Sequence, residues 1–143
     1  MPGNCDSGRR RGKLAVLGLL AAAAPLWSHH AFEAEFDAAK PVKLQGRVTQ
    51  LEWINPHVWI HLDVKGGDGK VVNWMVEGGP PNALTRRGWN KHSLPEGTEI
   101  VVEGYQAKDG AARANGRDVT FPDGKKLFVG SSGPGSPDGK PEK

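Results

Sequence analysis

From His57 to Val64 the chain alternates without a break, and this stretch restricts the fold more tightly than any other in its 143 residues. Val58, Ile60, Leu62 and Val64 fall on one side of an extended segment, and His57, Trp59, His61 and Asp63 on the other. A period of two excludes a helix, whose apolar residues recur every three or four positions. The aliphatic side must be covered by other parts of the chain, so this is a strand with one face in a core. Asn55 and Pro56 mark its start, because proline lacks the amide hydrogen that a ladder needs. The opposite face carries two imidazoles, an indole and a carboxylate at steps of about 6.6–7 Å, an unusual load for a surface that only meets water.

The flanking sequence supplies further strands. Val42, Leu44, Gly46 and Val48 alternate with Lys43, Gln45, Arg47 and Thr49 as a first strand. Gly46 is a bulge or bend in it, and the phase slips after Gln50 toward Leu51 and Trp53. The 57–64 segment is the second strand. Residues 65–69, with the pair Asp68 and Gly69, turn it into a third over residues 70–77. Hairpin partners share faces, so Asn73, Met75 and Glu77 are expected beside His57, Trp59 and His61. Gly78, Gly79, Pro80 and Pro81 break the sheet, and residues 82–88 suit a short helix with Asn82 as its cap and Gly88 closing it. Residues 89–97 read as a connecting loop. A fourth strand follows at Ile100, Val102 and Gly104, a weaker fifth over 117–121, and a sixth over 126–129. The predicted class is all-β: a small five- to six-stranded OB-like Greek-key barrel with one short helix between strands 3 and 4. In that architecture ligand surfaces are built around strands 2 and 3.

Arg9, Arg10, Arg11 and Lys13 precede an apolar run over residues 14–24 that is too short to cross a bilayer. Residues 1–28 therefore read as a cleaved signal peptide, which sends the chain to the periplasm or out of the cell. Residues 29–41 follow as an N-terminal arm, 42–129 as the barrel, and 130–143, made of Gly, Pro, Ser and charge, as a disordered tail. Phe32 and Phe36 in the arm form one helical turn or dock as rings on the barrel. Four of the 19 basic residues and one of the 16 acidic ones lie in the leader, so the formal charge of +3 falls to zero in the mature chain. That balance and the exported location argue against nucleic acid as a partner. An unknown small ligand or an envelope protein remains, with no membrane span after cleavage. The single cysteine, Cys5, departs with the leader, so one core must hold together without disulfides.

Two binding chemistries fit the polar face. In the first, Trp59 is an apolar or stacking platform with His57 and His61 as polar anchors and Asn73 and Glu77 alongside. In the second, cleavage after Ser28 makes His29 the first residue, whose α-amine and ring nitrogen chelate copper. His30 doubles the supply, and His57 adds a third nitrogen. His57 and His61 stand about 13–14 Å apart along a strand, too far to share one ion. A purely structural reading stands beside both: Trp59 is covered by the arm, and His57 pins the Asn55-Pro56 turn. Catalysis finds no support, since the chain has no Gly-x-Ser-x-Gly elbow, phosphate loop, zinc-protease motif or mature cysteine.

His29, His30, Ala31 and Phe32, the Glu35-Phe36-Asp37 group, Lys40-Pro41-Val42, Gly46, Trp53, Asn55-Pro56-His57, the 78–84 segment, Arg87-Gly88-Trp89 and the Asp123-Gly124 turn together resemble an uncharacterised family of secreted bacterial proteins. Its members pair a His-His-small-Phe start with a Trp-x-Asn-Pro-His motif. The resemblance covers nearly the whole mature chain and implies export and a small β domain, without an activity. A looser likeness, over residues 41–72 and 98–104, is to periplasmic OB-fold proteins linked with stress responses.

Overall fold

The computed structural model describes residues 1, 3 and 32–131. The expected signal peptide, His29, His30 and all but the first two residues of the expected tail lie outside these. After a helical turn over residues 32–35 come β1 (Phe36–Glu52), β2 (Trp59–Lys65), β3 (Val71–Glu77), α1 (Pro81–Arg86), β4 (Glu99–Ala107), β5 (Arg113–Thr120) and β6 (Lys126–Phe128). The fold is all-β, with one short helix between β3 and β4 as the alternation predicts.

Strand pairing closes on itself. β1 lies between β2 and β4, β2 pairs β3, and β4 pairs β5, all antiparallel. The start of β5 then meets the end of β3 in parallel, Met75 with Arg113, Val76 with Ala114 and Glu77 with Asn115. The circuit β1–β2–β3–β5–β4 is thus complete, and the second half of β5 turns away to pair β6. Closure removes most of the exposed edge that an open sheet would present. It also demands small residues where backbones crowd. A Cβ on Gly104 would stand 2.1 Å from the Asn115 carbonyl oxygen, and one on Gly116 would stand 2.8 Å from the Val76 side chain.

The two faces of β2 fall as the alternation requires. Val58, Ile60 and Leu62 are buried against Leu44, Val48, Val76, Val102, Ala114 and Val119, each large aliphatic side chain contributing about 1.5–3 kcal/mol by leaving water. The slip of phase in β1 is a bulge between Val48 and Gln50. Loop 53–58 bends at a cis Asn55-Pro56 bond, and strand pairing resumes at Trp59, two residues later than the alternation alone suggests.

Four details differ from expectation. Residues 36–41 are strand and not arm: Phe36 pairs Ala107, and after an irregularity Pro41 pairs Tyr105. The helix is capped by the backbone around Pro80, with prolines entering its first turn, and Asn82 serves no cap because its side chain accepts from the adjacent Ala83 amide. Trp89 belongs to the core, its indole N–H donating to the Phe128 carbonyl at 2.9 Å and its ring lying 5.5 Å from Phe121. Gly130 is also packed, and its carbonyl accepts from Arg87 at 2.7 Å, so the ordered chain runs past residue 129. No helix among the described residues is long and apolar enough to cross a membrane.

Candidate functional site

The outer face of β2 is built across three strands. Trp59 stands opposite Glu52 of β1 and Glu77 of β3, His61 opposite Gln50 and Met75, and Asp63 opposite Arg47 and Asn73. Directly opposed residues have Cβ atoms about 4.5–5.5 Å apart, so the half-buried indole has a carboxylate on either side, with His61 two residues further along its strand and His57 in the loop just before it. Each imidazole takes one of those carboxylates. His57 Nδ1 lies 2.6 Å from Glu77 Oε1, and His61 Nε2 lies 2.9 Å from Glu52 Oε1.

Glu77 is the unusual member. Its side chain is only 11% exposed, and burial, the largest influence, raises its pKa above the ordinary 4.5. His57 and Arg113 pull the other way, while the Glu35 carboxylate in the helical turn pushes it higher still. Arg113 sits at the rim, with Nη1 3.6 Å from Glu35 and Nη2 3.9 Å from Asp109, and its guanidinium lies 5.7 Å from the Phe36 ring centroid. Its Nε is buried without a partner.

The helical turn is held from the opposite side by the β4–β5 hairpin. The Lys108 amide donates to the Glu35 carbonyl at 2.9 Å, the Lys108 ammonium donates to the Glu33 carbonyl, and Phe32 meets Tyr105 edge-on at 5.7 Å. The rings of Phe32 and Phe36 lie 5.9 Å apart. No other ring stacks on Trp59 among the described residues.

Of the residues that sequence reasoning selected, His57, Trp59, His61 and Glu77 therefore come together. Asn73 does not join them: its amide donates to Asp63 at 2.8 Å and Thr49 at 3.2 Å, at the far end of the strand. Glu52, Arg113 and Glu35 belong to the constellation and were not selected. Glu52 was within reach, since it falls one bulge away from the outward side of β1. Arg113 and Glu35 were not, because their placement depends on the β3–β5 closure. His29 and His30 lie outside the described residues, and among those described no three His, Cys, Asp or Glu side chains gather in a metal-binding arrangement.

A family model, DUF6152, a family of unknown function, matches residues 16–116. The chain belongs to DUF6152. The DUF6152 match runs from residue 16 through β4 into the first half of β5, so it takes in Glu52, His57, Trp59, His61, Glu77 and Arg113 and stops before β6. Comparison with curated proteins and with solved structures returns no match.

Proposed function

We propose that this DUF6152 chain is an exported, OB-like β-barrel protein that binds a ligand, without catalysing a reaction on it, through the outer face of β2. The basic head and short apolar run at the start of the sequence support export. The closed circuit β1–β2–β3–β5–β4, with its helix between β3 and β4, supports the OB-like reading, in which the faces of strands 2 and 3 are the usual ligand surface. The carrying observation is that Trp59 sits half-buried between Glu52 and Glu77, one carboxylate held by His61 of the same strand and the other by His57 of the loop just before it. Such a platform presents an apolar surface with fixed polar groups at its margins.

The test uses a neutral aromatic probe, 2-naphthol, titrated into the mature protein and followed by amide and indole chemical shifts. Perturbations are expected on β2 and β3 around Trp59 and should vanish in Trp59→Ala while the fold persists. Shifts confined to another surface, or a Trp59→Ala variant that no longer folds, would overturn the reading.

A second reading, copper binding through an amino-terminal His29, has one observation in its favour. Phe32 docks on Tyr105, and Glu35 lies close enough to act on Glu77, so the chain just downstream of His29 and His30 runs beside His57. Copper titration of the mature protein against His29→Ala, His30→Ala and His57→Ala variants tests it. Equal affinity in all of them, or a mature chain that does not begin at His29, would remove this reading.

A further inference from the structure

The carboxylates of this surface divide into two kinds. Among the described residues, nearly every ion-paired carboxylate meets a lysine or arginine: Asp37 with Lys40, Glu99 with Arg47, Asp68 with Lys70, Glu35 and Asp109 with Arg113, Glu103 and Asp118 with Lys126. Glu52 and Glu77 are the exceptions. Their ion-pairing partners are imidazoles, Glu52 also accepting from the Gln50 amide at 3.4 Å, and they are the two that stand directly across from Trp59. Arg113, whose charge acts on Glu77, has its ion pairs with Glu35 and Asp109 and lies against Phe36. No cation lies over Trp59 among the described residues.

An indole face carries negative electrostatic potential and attracts a cation within about 6 Å of its centroid, most strongly when desolvated. Two flanking carboxylates, neither of them ion-paired with a lysine or arginine among the described residues, add to that attraction. The margins of the Trp59 surface are thus rich in carboxylate oxygens.

We propose that the group recognised at Trp59 is an organic cation, an alkylammonium, seated against the indole between Glu52 and Glu77. This rests on the reading of the outer face of β2 as the binding surface and narrows it to a ligand class. The same cation is carried by a free amine and by a lysine side chain, and the probes separate these sources. His57 and His61 hold the two carboxylates beside the indole, Nδ1 of His57 at 2.6 Å from Glu77 and Nε2 of His61 at 2.9 Å from Glu52.

The experiment follows the Trp59 indole N–H resonance, assigned by its loss in Trp59→Phe, during titration of the mature protein. The probes are tetramethylammonium, n-butylammonium, a trilysine peptide and the uncharged isostere tert-butanol. Saturable shifts with the ammonium probes and none with tert-butanol are expected. Affinity should drop about two- to fivefold in Glu52→Gln and similarly in Glu77→Gln; Glu52, the more exposed of the two, serves as the control should Glu77→Gln unfold. A response to n-butylammonium and to trilysine that agrees per ammonium group assigns recognition to the cation alone, whereas a much stronger trilysine response assigns it to a polypeptide carrying that cation. Equal responses to tetramethylammonium and tert-butanol, or ammonium binding untouched by Glu52→Gln, would overturn the proposal. A response to 2-naphthol alone would leave the binding surface standing and remove the cation, and silence from every probe would remove both.

Discussion

Two carboxylate clusters on opposite sides of the ring of strands behave in opposite ways. Beside Trp59, Glu77 is largely buried, meets a histidine, and has its pKa raised by loss of water. Between β4, β5 and β6, Glu103 is exposed, holds the Lys126 ammonium at 2.6 Å, and has its pKa lowered by that hydrogen bond; Asp118 and Arg117 extend the network. The second cluster is a solvated strut of the kind that contributes little to stability. The first keeps a carboxylate and its histidine partner partly out of water, which costs free energy. The difference sets the β2–β3 side apart from the β4–β6 side.

Placing the same change on both sides gives the largest expected contrast. Glu77→Lys puts an ammonium beside Arg113 and His57 with little water, and should cost about 3–5 kcal/mol in urea unfolding. Glu103→Lys should leave the unfolding midpoint within error at moderate salt. Similar losses at the two positions would erase the distinction.

The pH dependence sharpens it at smaller magnitude. A carboxyl whose pKa is raised in the fold binds its proton more tightly folded than unfolded, so its contribution to stability is complete below the ordinary 4.5 and is lost as pH climbs past that value and through the raised one. Glu77→Gln removes this term. The stability of the variant relative to the parent should therefore improve steadily from about pH 4 to pH 7, and a difference that is flat with pH would contradict the burial of Glu77. The smallest effect belongs to Lys126→Ala. Glu103 loses the partner that lowers its pKa, so its titration, followed by carboxyl chemical shifts, should move back up toward 4.5, with thermal stability barely changed.

Much of this was legible in the residues themselves. The 57–64 alternation gave the face of every side chain in β2, and the hairpin rule carried Glu77 to His57 with the turn at Asp68 and Gly69 as its only support. What escaped detection shares a physical cause. Residues 36–40 have no alternating aliphatic pattern, and they are strand only because β4 lies alongside. Arg113, Ala114, Asn115 and Gly116 show no strand signature because closure of the ring leaves room for nothing larger: Ala114 is fully buried, and Gly116 lies against Val76 and Val129. Hydrophobic patterning detects strands that fill space with large side chains and misses those that succeed by being thin. Trp89 lies in the loop that its neighbours indicate, yet its ring is buried there, with its N–H satisfied by the Phe128 carbonyl.

The central claim is that adjacent residues of β2 do different work, Ile60 holding the fold and Trp59 facing a partner. Urea unfolding of Ile60→Ala and Trp59→Ala, measured side by side on the mature protein, tests it most directly. The account predicts a loss of about 2–5 kcal/mol for Ile60→Ala and no more than about 1 kcal/mol for Trp59→Ala. A Trp59→Ala variant as unstable as Ile60→Ala would make the indole part of the core and leave the outer face of β2 without a recognition role.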